Sequence, residues 1–405
     1  MKVFSVLVLI IFFLTSAKVS AAENQISKTV NNFSRNYFSK LDKDKNIFYS
    51  PYSIAAAFSI VANGAKGQTQ KEILSALNAK NLNALNQNFK DFRAGIEENY
   101  KDGVTLNEAD LILIDKNFIG KGINTNFQKN IEEFYKTEID AADFQENLDA
   151  EKFRIKNFVA EKTKDFISDY ESSAEENTIL DLLNVIYFKG DWENPFDAAK
   201  TWKSFFTNKN GSKIRVQMMA QTFRNKISYY ADENFVGIAL PYKNNLAAMY
   251  VILPRNENFL NVAELWDAAE FSYRENFLAN IKNSSPFEGN VEVFIPKFEL
   301  DIKNNLVEDL QQMGIRRAFT NSADFSNIVK NTRLKISNAT HQAKIKVDET
   351  GTEAAAVTEI TMVKSTAVAA PPKTIYFRAD RPFLFLVRDA ESDVNLFAGV
   401  VNSLQ

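Results

Sequence analysis

Residues 179–188 read Ile179-Leu180-Asp181-Leu182-Leu183-Asn184-Val185-Ile186-Tyr187-Phe188, a nearly continuous apolar run rich in strand formers and closed by Gly190. Strict alternation of apolar and polar residues would mark a strand with one wet face, whereas an unbroken run marks a strand covered on both faces. The run therefore predicts a central strand buried between layers. Further along, Val291, Val293 and Ile295 alternate with Glu292 and Phe294 before Pro296, and Leu246 to Leu253 is a second apolar run closed by Pro254, so both predict strands. Towards the N-terminus the period changes. Ile26, Val30, Phe33, Tyr37 and Leu41 recur at helical spacing, as do Ile73, Leu74 and Leu77, and then Ile155, Phe158, Val159, Phe166 and Ile167. Each stripe predicts a helix with one core-facing side. Helices dominate the first half and strands the second. With no internal repeat and no Pro- or Ser-rich linker, the expectation is one α+β unit over residues 23–405. The stretch from Gly351 to Lys373 fits neither period. Its small residues, threonines and Pro371-Pro372 pair predict a long exposed loop.

The composition excludes several chemistries. Among 405 residues there is no cysteine and a single histidine, His341, so disulfide scaffolds, cysteine nucleophiles, cysteine-ligated zinc and two-histidine metal motifs are ruled out. With 34 Phe and 13 Tyr, the chain can bury a large core without covalent staples. The glycines form neither a G-x-S-x-G elbow nor a G-x-G-x-x-G or G-x-x-x-x-G-K-[ST] phosphate loop. No cofactor and no metal are expected. A serine hydrolase would have to run through His341 alone. That residue precedes the alternating Ala343, Ile345, Val347, and it reads as a core histidine hydrogen-bonded in place, with the hydrolase as the alternative.

Lys2 is followed by an apolar run from Val3 to Leu14 and by small residues ending Val19-Ser20-Ala21-Ala22, the layout of a secretory signal peptide over residues 1–22. The run is short of the roughly 20 residues that span a bilayer. A secreted, extracellular product without a membrane partner is therefore expected. The formal net charge is −3, and loss of Lys2 and Lys18 with residues 1–22 makes the mature chain more acidic, which argues against nucleic-acid binding. Entry into the secretory path gives meaning to four glycosylation sequons, at Asn32, Asn210, Asn283 and Asn338.

Seven segments in order resemble the serpin family: Asn46-Ile47-Phe48-Tyr49-Ser50-Pro51-Tyr52-Ser53-Ile54, Gly64-Ala65-Lys66-Gly67-Gln68-Thr69, Asn184-Val185-Ile186-Tyr187-Phe188-Lys189-Gly190-Asp191-Trp192, Leu240-Pro241-Tyr242-Lys243, Pro296-Lys297-Phe298, Arg381-Pro382-Phe383-Leu384-Phe385 and Phe397-Ala398-Gly399-Val400-Val401-Asn402. The resemblance covers essentially the whole mature chain. It implies the serpin fold, helices packed around three β-sheets with an exposed reactive-centre loop at about 349–373. It also implies a protein that catalyses nothing, a monomer whose partner is a target serine protease. Lys346-Val347-Asp348-Glu349-Thr350-Gly351-Thr352-Glu353-Ala354-Ala355-Ala356 is similar to the family's hinge, which in inhibitory members enters the central sheet as a new strand after the protease has attacked the loop. By the same resemblance Ser53, Asn184 and His341 match the shutter under the sheet, Gly190 and Trp192 lie near the breach where insertion starts, and Lys297 pairs with Glu349.

The hinge can be checked against the demands of a strand. Alternation would point Thr352, Ala354, Ala356 and Thr358 into the interface beneath the sheet, and all four are small and uncharged. Glu353, Ala355, Val357 and Glu359 would face solvent. The pattern suits insertion; a non-inhibitory serpin, such as a carrier, chaperone or storage protein, is the alternative. A trypsin-like pocket would choose Lys364-Ser365, whereas family spacing from Glu349 points to Ser365-Thr366, and Val368-Ala369 suits an elastase-like enzyme. The first bond is favoured. Lys80, Lys90, Arg93 and Lys101 are interspersed with Asp91, Glu97, Glu98 and Asp102, a mixed solvated face that does not support heparin binding there.

Overall fold

The computed structural model describes residues 25–120, 122–352 and 373–405. Its centre is a six-stranded sheet built from β1 (Val104–Asp115), β2 (Glu138–Ala142), β3 (Leu180–Asp191), β4 (Phe298–Asn305), β5 (Asn338–Val347) and β6 (Gly351–Thr352), in the spatial order β4-β5-β6-β3-β1-β2. The deciding run lies in β3, buried from Leu180 through Phe188. Its apolar residues leave on both faces. Val185 joins Leu111, Leu113, Ile155 and Val159 in a small cluster on one side, while Leu182, Ile186 and Phe188 join the main core on the other.

The main core is entered by a helix over residues 25–38 (α1), whose Ile26, Val30, Phe33 and Tyr37 are buried, and by α2 (Pro51–Gly64), which is buried along its whole length. Ser50 caps α2 by accepting a hydrogen bond on its side chain from Ser53 N, and Pro51 occupies the first turn, where no N–H is needed. Two further sheets complete the layers. One runs Ile47–Tyr49, Asn395–Val401, Phe383–Asp389, Ala247–Pro254, Phe235–Pro241 and Ser228–Ala231; the other runs Thr374–Arg378, Asn290–Pro296, Lys213–Arg224 and Trp202–Thr207. The expected combination of helices with three β-sheets is thus observed.

Three expectations need correction. Helix α3 (Leu148–Lys162) carries Ile155, Phe158 and Val159 but stops before Phe166 and Ile167, because Lys164 and Asp165 take left-handed φ values of 52° and 61° and turn the chain. Ile167 is buried all the same. Leu41 likewise lies beyond α1. Third, Gly351 and Thr352 are not exposed loop: they form β6 and are buried, so the loop expectation holds at most from residue 353 onward. Among the described residues, no helix is long and apolar enough to cross a membrane.

Candidate functional site

Strands β5 and β3 meet along a seam with two different closures. From Asn338 to Lys344, β5 pairs directly and in parallel with Asp181 to Tyr187 of β3. Above that, the chain turns after Val347, and β6 slots between the two, with Thr352 opposite Val347 on one side and Gly190 on the other, and Gly351 opposite Asp191. Gly351 and Thr352 therefore form a two-residue strand within the central sheet.

The lower seam is held by a polar row. Register places Asn304 of β4, His341 of β5, Asn184 of β3 and Asp110 of β1 side by side across four strands. His341 is fully buried and uses both ring nitrogens. Nε2 accepts from Ser50 N at 3.0 Å, and a backbone N–H can only donate; Nδ1, 2.6 Å from Asn184 Oδ1, therefore carries the proton of a neutral ring. Burial holds its pKa down at about 3. Asn184 Nδ2 then donates to Ser53 Oγ at 2.6 Å and to Asp110 Oδ1. Ser53, Asn184 and His341, expected together, are brought together under the seam. Neither nitrogen of His341 is left for a nucleophile's proton, which gives the hydrolase alternative no geometry.

Asn304 and Asp110 of this row, and Ser50, which donates to His341 from the N-cap of α2, were not expected from the sequence. Asp110 is buried beside the Arg93–Glu108 ion pair of 2.6 Å, with Tyr52 packed close to that pair. Burial, then the charge of Glu108, push its carboxyl up to about 7, against the hydrogen bond from Asn184 and the charge of Arg93. A carboxyl raised in the folded state is destabilising once ionised, so stability is lost as pH rises from its ordinary value through about 7. His341 acts in the opposite sense: its lowered value means that stability is lost as pH falls below the ordinary histidine range towards about 3. Asp110→Asn is thus expected to match the parent near about pH 4 and to unfold at a progressively higher temperature than the parent as pH rises to about 8. Thermal midpoints across that range check it; a difference independent of pH would remove Asp110 as the titrating group.

At the upper seam, Thr352 is fully buried and its Oγ1 lies 2.8 Å from Tyr242 Oη. Tyr242 stacks on Trp192 with ring centres 4.6 Å apart and planes 11° apart. Trp192 donates from Nε1 to Asp348 O at 3.0 Å and from its backbone N to Thr350 O at 2.9 Å, which ties the turn before β6 to the end of β3. Backbones approach so closely here that a Cβ on Gly351 would stand 2.1 Å from Gly190 O, and one on Gly190 would stand 2.6 Å from the Tyr242 ring. Glu349 receives Lys297 Nζ at 2.7 Å and Thr201 Oγ1 at 2.8 Å. Burial raises its pKa, but these two donors outweigh burial and hold it below the usual carboxylate value. Lys297 is partly exposed, so the pair is worth at most about 1 kcal/mol.

Glu353, Ala354, Ala355 and Ala356, and the candidate bonds Lys364-Ser365, Ser365-Thr366 and Val368-Ala369, lie outside the described residues, as does the segment 1–22. Among the sequons, Asn210 and Asn283 are exposed. Asn32 and Asn338 are half-buried and already donate from Nδ2, to Lys28 O at 2.7 Å and to Ser173 O at 3.2 Å.

A protein-family model described as Serpin (serine protease inhibitor) matches residues 28–404. Iripin-2 of Ixodes ricinus is 30% identical over 388 residues, covering 94% of each chain. Iris of Ixodes ricinus is 31% identical over 389 residues, covering 94% of this chain and 100% of its own. A serpin-like protein of Methanosarcina mazei is 31% identical over 384 residues, covering 93% of this chain and 87% of its own. Among solved structures, native Tengpin, a thermophilic serpin, superposes with a TM-score of 0.82 at 26% identity over 94% of both chains. Human thyroxine-binding globulin in complex with its ligand superposes with a TM-score of 0.82 at 28% identity, over 94% of this chain and 99% of its own.

Proposed function

The chain belongs to the serpin family, and from that premise we propose that it is a secreted inhibitor of serine proteases, acting as a suicide substrate with a trypsin-like target. Members of the family are generally protease inhibitors and not enzymes. The observation that carries the inhibitory reading is the seating of Gly351 and Thr352 between β5 and β3, with Thr352 turned inward onto Tyr242. The small residues that would follow it inward, Ala354, Ala356 and Thr358, suit continued entry along the same seam.

In this reading the protease's serine oxygen attacks the carbonyl carbon of Lys364. The bond to Ser365 breaks, the new amine of Ser365 takes a proton, and the protease is left as an ester on Lys364. The freed loop then zips downward from Thr352, separating His341 from Asn184 and gaining a row of strand hydrogen bonds on each side. The native fold is a kinetically trapped state, and strand addition releases its stored free energy. The Glu349–Lys297 pair and the Trp192–Tyr242 stack restrain the hinge until the loop is cut. Residues 1–22 are removed on export, and exposed Asn210, in the turn from Asn208 to Ser212, is the best placed of the sequons for a glycan.

Incubation with trypsin is expected to give a complex that survives SDS and boiling, and sequencing of the released C-terminal peptide is expected to begin at Ser365. A start at Thr366 or Ala369 would move the reactive bond. Simple cleavage, with no complex and no gain in thermal stability, would replace inhibition by a carrier, chaperone or storage role.

A further inference from the structure

The helix Leu82–Asn99 carries most of the mixed run of cations and acids that the sequence placed on a solvated face, and the fold sorts that run. Lys90 pairs with Glu133 at 2.8 Å, Arg93 with Glu108 at 2.6 Å and Glu97 with Lys136 at 2.6 Å, all on neighbouring elements. Asp91 and Glu98 take no cationic partner among the described residues. They border instead a cavity of about 480 Å³ between this helix, the start of α1 at Ile26 and the turn at residues 389–392. Its floor is apolar, with Phe92 and Ile96 each 7% exposed and Tyr100 beside them. No lysine, arginine or histidine lines it, whereas four acids do: Asp91, Glu98, Asp389 and Glu391.

Two observations set this cavity apart from a patch of surface acids. Asp389 is buried and accepts from Ser392 N at 2.7 Å, Ser392 Oγ at 2.5 Å and Tyr100 Oη at 2.9 Å, yet no cation pairs with it among the described residues. A buried carboxylate without a counter-charge is costly until something positive reaches it. Gly95 stands on the cavity wall inside the helix, and a Cβ there would meet nothing within 4 Å. Glycine weakens a helix interior, so the helix forgoes stability at the one wall position that leaves the space open. The contents select the ligand class. The volume lies in the range of small-molecule sites, which are mostly apolar with a few placed polar groups. Among the described residues no three acids are placed to hold a metal ion, so the charge suits an organic cation and not a bare ion. Phe92 and Tyr100 supply aromatic surface for its body.

We infer that this cavity binds a small organic amine with an aromatic body: the body covers Phe92, Ile96 and Tyr100, and the ammonium is held among Asp91, Glu98, Asp389 and Glu391. The site shares no residue with the seam between β5 and β3, and the inference does not rest on the inhibitory reading.

Titration calorimetry with tryptamine, a cation at neutral pH, tests this against two indoles of similar shape, neutral tryptophol and anionic indole-3-propionate. Tryptamine is expected to bind one to one and about tenfold more tightly than tryptophol at low salt, with indole-3-propionate weaker still. Gly95→Leu fills the open wall and is expected to abolish tryptamine binding with a thermal midpoint no lower than the parent's. The triple variant Asp91→Asn, Glu98→Gln, Glu391→Gln is expected to lower tryptamine to the affinity of tryptophol while tryptophol itself is unaffected. Absence of tryptamine binding by the parent chain, equal affinity for the three indoles, or binding that survives Gly95→Leu overturns the proposal. So does ethylamine binding as tightly as tryptamine, since the apolar floor would then contribute nothing.

Discussion

Thr352→Arg is expected to convert the protein from inhibitor to substrate: trypsin cuts the loop at an ordinary rate, but the SDS-stable complex gives way to cleaved product. Thr352 is fully buried at the point where β6 enters the sheet, with Tyr242 Oη 2.8 Å from its hydroxyl. A guanidinium there would be pressed against the Tyr242 ring and lose its hydration, at a cost of several kcal/mol. It therefore stays out, and Gly351 and the residues after Thr352 stay out with it. The protease then completes hydrolysis before any strand is added. Thr352→Ser keeps the hydroxyl and the size and should inhibit like the parent. Gel analysis of complex against cleaved product settles the matter; a complex yield unchanged in the arginine variant would refute entry along this seam.

The second large effect is expected at His341. Replacement by alanine leaves Ser50 N and Asn184 Oδ1 without partners in a site closed to solvent, and leaves a cavity the size of an imidazole. Two orphaned polar groups and the lost packing amount to about 3 kcal/mol or more, or roughly 4 °C or more in thermal midpoint for a chain of this size. The effect should reach function as well. The hydrogen bond from His341 to Asn184 joins the two strands that must part, so its loss should speed sheet opening without any protease. Inhibitory activity of His341→Ala is expected to decay faster on incubation at 37 °C, while freshly folded protein still forms complex. An unchanged midpoint together with an unchanged decay would remove His341 from the seam's restraint.

The legible parts of this molecule share a physical basis. The run from Ile179 to Phe188 could be read as a doubly covered strand because continuous apolarity has one economical burial in an α+β chain, and it is indeed buried on both faces. The stripe from Ile26 to Tyr37 was legible because helical spacing places those side chains on one face. Where periodicity and backbone disagreed, the backbone decided: Phe166 and Ile167 continue the apolar content of α3, yet two left-handed residues end the helix before them. Gly351 and Thr352 were misread as loop because two residues are too few to show a period, and only the gap between β5 and β3 makes them a strand.

The sequence by itself determined the class of fold, the order of its family segments, the lack of cysteine, of two-histidine metal motifs and of glycine-rich phosphate loops, and small uncharged residues at alternate positions from Thr352. These are properties of composition, spacing and alternation, all local in the chain. Only the tertiary structure decided that Asn304, His341, Asn184 and Asp110 form one row, and that Tyr242 lies against Thr352. Residues so far apart in sequence become neighbours through strand register, and alternation within a single strand says which face a side chain takes but not which strand will lie beside it.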